Sequence, residues 1–412
     1  MEYNLFTLDN GLRVVHHADT STAMVALNLL YNVGARDEDS HLTGMAHLFE
    51  HLMFGGSVNI PDFDGALEMA GGTNNAWTSD DFTNFWDLLP AENAETAFWL
   101  ESDRMLSLAF SPNSLEVQRG VVIEEFKQVC LNRPYGDVSH RLREMLYSVH
   151  PYRYPTIGKE PEHIERVGME DVRRFFHSHY APNNAVMAVV GNISLERVRH
   201  LAEKWFGPIP SREIAPRQYP AEPAPAGSKR SVIHRQVPQA CIIKAFPMER
   251  YGTHQYICAD LLTDILASGR ASRFYRSLLM GDSGLFTSAD ASIAGTEEPG
   301  YLMVSGRLRS DSPEALAEAE QMLDRELTRI REELPTAEEL LRAQNRFESN
   351  YLFNQLNALD KARNLAMAVM HGENPDDTVA RYRAVTPADI RQAANEILRS
   401  ESSSTLIILP EK

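Results

Sequence analysis

The distribution of apolar residues along the chain predicts two similar sets of strands and helices. Residues 22–33 alternate loosely and are rich in Val and Leu, which is typical of a strand, and residues 240–247 repeat this pattern. A helix is predicted after each of these strands. When residues 46–52 are laid on residues 259–265, their apolar positions coincide, which indicates a divergent duplication.

The rest of the first half also mixes strands with helices. Residues 73–78 and 82–89 are predicted to pair as strands around a polar turn. An amphipathic helix is predicted for residues 91–108, and Ser111-Pro112 places a proline at the first position of a further helix. Strands and helices mixed in each half predict an α+β fold.

A proline-rich segment separates the two halves. Because proline fixes φ and removes a backbone donor, residues 208–230 are predicted to form a semi-rigid linker. A chain of 412 residues also exceeds the size of one ordinary core. The predicted domains are therefore residues 1–207 and residues 231–412. The prolines of the linker are Pro208, Pro210, Pro216, Pro220, Pro223 and Pro225.

The composition is that of a soluble globular protein with an excess of acidic residues. Apolar residues make up 43% of the chain and charged residues 24%, which is close to average. The formal net charge of −17 favours solubility or, alternatively, marks an acidic surface or chamber that attracts basic peptides. It argues against nucleic-acid binding, which requires a positively charged surface.

Cysteine usage and the absence of targeting signals predict a cytoplasmic protein. Cys130, Cys241 and Cys258 are odd in number and form no C-x-x-C pair, so we expect buried, reduced thiols. Residues 1–12 lack the basic segment and the apolar run of a signal peptide. No stretch approaches about 18 consecutive apolar residues, so no membrane span is expected.

The candidate chemistry is concentrated in residues 47–51, which read H-L-F-E-H. Residues four apart share one face of a helix, so the imidazoles of His47 and His51 can reach one metal ion. Glu50 lies on the same face, where its carboxylate can take a proton from a metal-activated water. In the second half the matching positions hold other residues, namely Asp260, Thr263 and Asp264.

Two histidines leave a catalytic zinc one ligand short, because such a site usually has three protein ligands and a water. The stripe expected to face inwards consists of Val121, Val122, Phe126 and Val129, with Gln118 one turn earlier. Glu125 lies inside this stripe and Glu124 at its edge. A lone buried carboxylate is costly unless a cation compensates it. Glu125 is the predicted ligand; the alternative is an ion pair with Arg119 or another base.

Together with motifs further along the chain, these residues resemble the pitrilysin/insulinase family of zinc peptidases, whose hallmark is H-x-x-E-H. The resemblance covers most of the first half and is weaker in the second half, around residues 262–274. The further motifs are Gly71-Gly72-Thr73-Asn74-Asn75-Ala76 with Thr78, residues 119–125, His150-Pro151-Tyr152, Ile157-Gly158 and Tyr180-Ala181-Pro182-Asn183-Asn184-Ala185.

The resemblance implies a fold and a metal site. The fold would be two homologous α/β rolls, each a mostly antiparallel sheet flanked by helices. One Zn²⁺ per chain would be bound by His47, His51 and Glu125, with Glu50 as the general base.

The resemblance also implies how substrates bind. Family members cleave unfolded peptides, which lie extended along an edge strand. In this chain the strand would be residues 74–78, and Asn75 and Ala76 would lie near the scissile bond.

Two departures from the family pattern bear on activity and partners. Gln118 stands where a second glutamate is usual, and its side chain can still hydrogen-bond a metal ligand. Leu279 and Phe286 stand where the second half usually has an Arg and a Tyr that assist at the substrate carbonyl. Neither can donate a hydrogen bond. A partner chain would then supply the pair, which favours a heterodimer with a zinc-less paralogue over a homodimer.

The sequence thus predicts a zinc-dependent endopeptidase that hydrolyses extended, unfolded peptides. One alternative is a non-catalytic peptide-binding or assembly subunit, although such chains typically lose a motif residue and this one keeps all four. A purely structural zinc site needs a fourth protein ligand, and none is evident nearby. Cobalt or manganese would also suit a His/His/Glu set.

Overall fold

A computed structural model describes residues 2–281 and 284–411. The strands of this part of the chain are β1 Asn4–Thr7, β2 Arg13–Ala18, β3 Met24–Tyr31, β4 Thr73–Thr78, β5 Thr83–Pro90, β6 Ala185–Gly191, β7 Lys229–Arg235, β8 Cys241–Met248, β9 Phe286–Ala294, β10 Gly300–Leu308 and β11 Ser404–Pro410.

Helices flank these strands. They are α1 Met45–Met53, α2 Phe63–Met69, α3 Glu95–Leu106, α4 Pro112–Phe126, α5 Val138–Leu146, α6 Pro161–Arg166, α7 Met169–His179, α8 Leu195–Trp205, α9 His254–Ala267, α10 Pro313–Glu332, α11 Ala337–Phe353, α12 Ala358–His371, α13 Asp377–Arg383 and α14 Pro387–Ile397. None of the helices among the described residues combines the length and the apolar character needed to cross a bilayer.

The strands form two mixed, mostly antiparallel sheets. The first sheet has the order β1-β2-β6-β3-β5-β4, and only its β2–β6 pair is parallel. The second has the order β7-β11-β8-β10-β9, with β11–β7 as its parallel pair. The predicted α+β fold with two sheets flanked by helices is confirmed.

The two sheets share one topology. The last five strands of the first sheet follow the same order and direction of pairing as the five strands of the second. In the first sheet the almost fully buried strand β3 is followed by helix α1, and in the second the almost fully buried strand β8 is followed by helix α9. Both helices contribute residues to the apolar core. This correspondence supports the duplication that the apolar pattern predicted.

The contacts divide the chain into two units, and neither is a continuous stretch. Unit 1 comprises residues 2–127, 154–220 and 352–377 of the described chain, and unit 2 comprises 128–153, 221–351 and 378–411. The predicted contiguous domains, 1–207 and 231–412 with the linker 208–230, do not match this division. Within the predicted linker, residues 210–228 contain no helix or strand.

The physical reason for the discontinuous units is the apolar outer face of each sheet. In unit 1 that face is covered by α12, which packs on β3 and β6, and in unit 2 it is covered by α5, which packs on β8 and β11. The face of α12 that meets the sheet is rich in alanine, which permits close approach. Its buried residues are Ala358, Ala362, Leu365, Ala366, Ala368 and Val369.

An ion pair fixes α12 to the first sheet at the end of β2. The Lys361 ammonium donates to the Asp19 carboxylate, which also accepts from the Ser21 hydroxyl. These contacts, led by that of Lys361, lower the pKa of Asp19 to about 2. Because this value lies below the ordinary one of 3.8, the pair stabilises the fold fully above about pH 4. The contribution is lost as the pH falls through about 2.

We expect Asp19→Asn to lower the free energy of unfolding by about 1 kcal/mol at neutral pH. Urea denaturation of the variant and of the wild type at several pH values measures this difference. The two proteins should converge in stability as the pH approaches about 2. Asp9→Asn is the control, because Asp9 is exposed. A difference between Asp19→Asn and wild type that is independent of pH would contradict the assignment.

Candidate metal centre

The candidate site lies on the one face of α1 that is not fully buried. Six of the nine helix residues are buried in the core of unit 1. The three that remain partly exposed are His47, Glu50 and His51. The helix is therefore fixed by apolar packing on one side, and it presents two imidazoles and a carboxylate together on the other.

The start of α1 is capped by a side chain that the sequence analysis missed. The N-cap residue Gly44 has φ +88°, offers no side-chain cap, and a Cβ there would come within 2.5 Å of Ile164 Cδ1. Instead, the Glu38 carboxylate accepts from the backbone N–H groups of Gly44 at 2.8 Å and Ala46 at 2.7 Å. These would otherwise be unpaired donors at the helix N-terminus.

Glu125 reaches the same face from α4. Its Oε2 lies 3.7 Å from His47 Nε2 and 3.6 Å from His51 Nε2, and the two imidazole planes cross at 83°. Tetrahedral zinc ligands held at about 2.0–2.1 Å from the ion are separated by about 3.4 Å. Among the described residues, these three side chains form the one group of His, Cys, Asp or Glu whose ligand atoms could share a metal.

Glu124 and Glu125 have different surroundings, as the sequence analysis predicted. The Glu124 carboxylate is 63% exposed and accepts from Lys127 at 2.6 Å, whereas Glu125 is 40% exposed and faces the histidines. Arg119, the alternative partner of Glu125, donates instead to the Glu116 carboxylate and to backbone carbonyls. The alternative of an Arg119–Glu125 ion pair is therefore wrong.

The predicted inward stripe of α4 is wrong in two positions. Val121 and Val129 are 46% and 40% exposed. The residues that face the core are Leu115, Val122 and Phe126, at a spacing of seven and four. Val121 lies about 100° around the helix from Val122. Val129 lies beyond α4 in a short π-helical turn, Lys127–Leu131, where the helical register changes.

The electrostatics of the three side chains are strongly linked. The neighbouring Glu125 carboxylate raises the pKa of His51, and His51 in turn lowers the pKa of Glu125. Burial lowers the pKa of His47, which favours the neutral imidazole that a metal requires. Gln118 also acts on His51 as a hydrogen-bond partner and raises its pKa, which is the contact predicted for it.

Glu50 is oriented by the edge strand of the sheet. Thr78 Oγ1, at the end of β4, donates to Glu50 Oε2 at 2.5 Å. Burial raises the pKa of the Glu50 carboxyl, and the Thr78 donor opposes that rise. Thr78 belongs to one of the sequence motifs, but no role was predicted for it from the sequence. Its position shows that the T-N-N-A-W-T strand and the H-x-x-E-H helix meet at one carboxylate.

Asn75 and Ala76 lie on β4, which is the edge of the first sheet. They pair with Trp86 and Phe85 on β5, and no described strand pairs with the other edge of β4. The Asn75 side chain is exposed, and its Oδ1 accepts from the Ala76 backbone N–H at 2.8 Å. An edge strand of this kind can accept an extended peptide, which is the role predicted for both residues from the sequence.

The second half lacks an equivalent metal site among the described residues. Asp260 accepts from the Tyr382 hydroxyl at 2.8 Å, and Asp264 accepts from Ser268 Oγ at 2.5 Å. Phe286 is 1% exposed and Leu279 packs against the same apolar core of unit 2. Neither supplies a polar group, as the sequence analysis inferred from their side chains.

Comparison with known families matches the chain in two adjoining parts. Residues 13–160 match the family model described as insulinase, peptidase family M16. Residues 166–347 match the model described as the peptidase M16 inactive domain.

Individual proteins match over nearly the whole chain. The zinc protease PqqE of Helicobacter pylori is 26% identical over 417 residues, covering 98% of this chain and 92% of that protein. The crystal structure of a protease from Helicobacter pylori aligns with a TM-score of 0.91 at 24% identity, covering 99% and 100% of the two chains. Pitrilysin aligns with a TM-score of 0.79 at 18% identity, over all of this chain and 45% of pitrilysin. The two structures show a shared fold.

Glu38→Ala tests the cap on α1. Removing the acceptor leaves the N–H groups of Gly44 and Ala46 unpaired, so we expect a loss of about 2 kcal/mol in the free energy of unfolding. Glu38→Gln keeps one acceptor and should lose less. Urea denaturation gives both values.

Ser194→Ala is the matched control, because Ser194 caps α8 by accepting from Arg197 N at 3.3 Å. That variant should lose about 1 kcal/mol. If Glu38→Ala were as stable as the wild type, the capping role would be contradicted.

Proposed function

We propose that this chain, which belongs to the insulinase family (peptidase family M16), is a zinc-dependent endopeptidase acting on extended, unfolded peptides. The observation that supports this most is that His47, His51 and Glu125 converge beside the carboxylate of Glu50. The Glu50 carboxylate is held by Thr78 and by none of these three residues. Two imidazoles and one carboxylate with room for a water are the ligand set of a hydrolytic zinc site.

Two of the three proposed ligands are already favoured in the protonation state that binds a metal, whereas His51, whose pKa Glu125 raises, would have to release a proton when the metal binds. Both imidazoles must be neutral and Glu125 ionised to bind a cation. Burial already favours neutral His47, and the histidines already favour ionised Glu125. Zinc, when bound, would polarise the scissile carbonyl and lower the pKa of a water.

Glu50 would be the general base. Its carboxylate lies on the same face of α1 as both histidines, and Thr78 fixes its orientation. Burial raises its pKa above the ordinary carboxyl value, and a raised pKa makes a carboxylate a stronger base. Glu50 would take a proton from the attacking water and return it to the leaving amine.

The substrate would bind along β4. An extended peptide would add a strand to this edge, and its backbone would replace the contact between Asn75 Oδ1 and Ala76 N–H. Strand addition reads backbone groups, which suits unfolded chains of varied sequence. Thr78 links the bound strand to Glu50, so substrate binding and the proton acceptor share one element.

The chain would act as a dimer. Leu279 and Phe286 are apolar core residues, so this chain has no hydrogen-bond donor at the positions that assist the substrate carbonyl in its family. A zinc-less paralogue would supply that pair in a heterodimer, and a homodimer is the alternative. The three cysteines, Cys130, Cys241 and Cys258, are buried, which supports a reducing compartment such as the cytoplasm.

Glu50→Gln is expected to keep the metal and to lower kcat by about 10²–10⁴, because the amide cannot accept the proton. The measurement is cleavage of a quenched fluorogenic peptide library together with zinc content, on protein purified from the native host so that partners are retained. The chelator-treated wild type should lose cleavage as well. Wild-type turnover in Glu50→Gln would contradict the mechanism.

Glu124→Gln is the matched control. Glu124 is adjacent to the predicted ligand but faces solvent and Lys127, so that variant should keep both zinc and turnover. His51→Ala should lose zinc, because only two ligands would remain. Zinc retained by His51→Ala would contradict the ligand set.

The active fraction from the native host is expected to contain a second polypeptide in equal amount. The physical reason is the missing hydrogen-bond donors at Leu279 and Phe286. Size-exclusion chromatography followed by mass spectrometry of the active peak measures the composition. A single polypeptide in that peak would contradict the heterodimer and favour the homodimer.

A further inference from the structure

Unit 2 contains a cavity that the proposed peptidase chemistry does not use. It has a volume of about 420 Å³ and lies between the second sheet and the segment that leads into α5. Its floor is apolar and includes Leu142 from α5, Ile243 from β8 and Met303 from β10. The volume falls within the range of about 300–1,000 Å³ that is usual for small-ligand sites.

Two arginines at this cavity have no carboxylate partner among the residues that the structure describes. Arg133 and Arg307 both line it and are exposed, and among the described residues neither forms an ion pair. The chain has 57 acidic and 40 basic residues, so unpaired arginines beside an apolar floor are unexpected. Guanidinium groups in this setting suit a carboxylate.

A carboxylate also lines the cavity. Asp290 on β9 lies opposite Ser305 on β10. The next pair on the same face of the sheet is Ser288 and Arg307. Asp290 is exposed, and it forms no ion pair within the described part of the chain. The cavity therefore offers two cations, one anion and an apolar floor.

The wall beside Arg307 is held in an unusual conformation. Tyr135 has φ +62°, which is rare for a residue with a side chain. Its hydroxyl donates to the Gln239 carbonyl at 2.7 Å, and the Arg307 guanidinium lies 4.7 Å from its ring centre. Strained residues that are fixed by their surroundings cluster at binding sites. Tyr135 both shapes the cavity and orients one of its cations.

We propose that this cavity binds an apolar α-amino acid residue through its free carboxylate, either as the C-terminal residue of a peptide or as the free amino acid. The carboxylate pairs with Arg133 and Arg307, the side chain lies on the apolar floor, and Asp290 accepts from the backbone N–H or the ammonium group. The expectation that the ligand is the C-terminal residue of a peptide rests on the proposed function. The expectation that the cavity binds a carboxylate next to an apolar side chain does not.

The test uses the full chain carrying Glu50→Gln, so that peptides are not consumed. Isothermal titration compares three probes: Ala-Ala-Leu with a free carboxyl group, the same peptide as its amide, and free leucine. We expect the free-carboxyl peptide to bind at least about 10-fold more tightly than the amide. Arg133→Gln and Arg307→Gln should each remove most of that difference. Binding along β4 does not require a free carboxylate, so the acid–amide comparison isolates the cavity.

Arg270→Gln is the matched control, because Arg270 is exposed in unit 2 and does not line the cavity. That variant should bind all three probes as its parent does. Tighter binding of leucine than of the peptide, lost in Asp290→Asn, identifies the free amino acid as the ligand. Equal binding of acid and amide, with leucine not bound, overturns the proposal, as does undiminished binding in the double arginine variant.

Cleavage by the chain with Glu50 intact is measured separately. A chain that discriminates acid from amide but cleaves no peptide would contradict the proposed function and leave the cavity assignment standing. A chain that cleaves peptides but binds acid and amide equally would support the proposed function and contradict the cavity assignment.

Discussion

The candidate site depends on one constraint: the carboxylate of Glu125 must meet two imidazoles that α1 presents together. The distances of 3.6 and 3.7 Å require α1 and α4 to be held in register by the core. Phe49, on the buried face of α1, packs against Tyr180 with ring centres 4.3 Å apart and the ring planes tilted by 32°. Val122 and Phe126 fix α4 in the same way. Apolar packing on one face of each helix thus determines the polar geometry on the other.

The two sheets show how one fold can keep a site in one copy and lose it in the other. Both have the same strand order around a buried strand and a following helix. In the second copy, however, Asp260 and Asp264 form hydrogen bonds with Tyr382 and Ser268. These contacts satisfy the carboxylates without a metal. The fold therefore persists on its apolar pattern alone, while the chemistry depends on a few side chains.

Much of the candidate site could be predicted from the sequence, because the patterns that indicate it lie within single helices. The spacing of His47, Glu50 and His51 needs only helical geometry, and the choice of Glu125 over Glu124 follows from periodicity. The predicted buried stripe of α4 was wrong at Val121 and Val129. The buried face of α4 is narrower than predicted, and the helical register changes directly after α4. Local patterns cannot report such a change before the neighbouring elements are known.

The features that were missed are those that link distant parts of the chain. Glu38 caps α1 from six residues before its N-cap, a spacing that no capping motif predicts. Likewise α5 and α12 cover sheets to which they are not adjacent in sequence. The apolar faces of these helices are visible in the sequence, but the surfaces that they cover are not.

The proposed chemistry requires His47, His51 and Glu125 to hold a zinc ion with one position open to water. X-ray absorption at the zinc edge of the purified, metal-loaded protein tests it most directly. We expect two imidazole nitrogens and two oxygens at about 2.0–2.2 Å, with the second oxygen from water. A sulfur ligand, a third imidazole or a site closed by four protein ligands would contradict it.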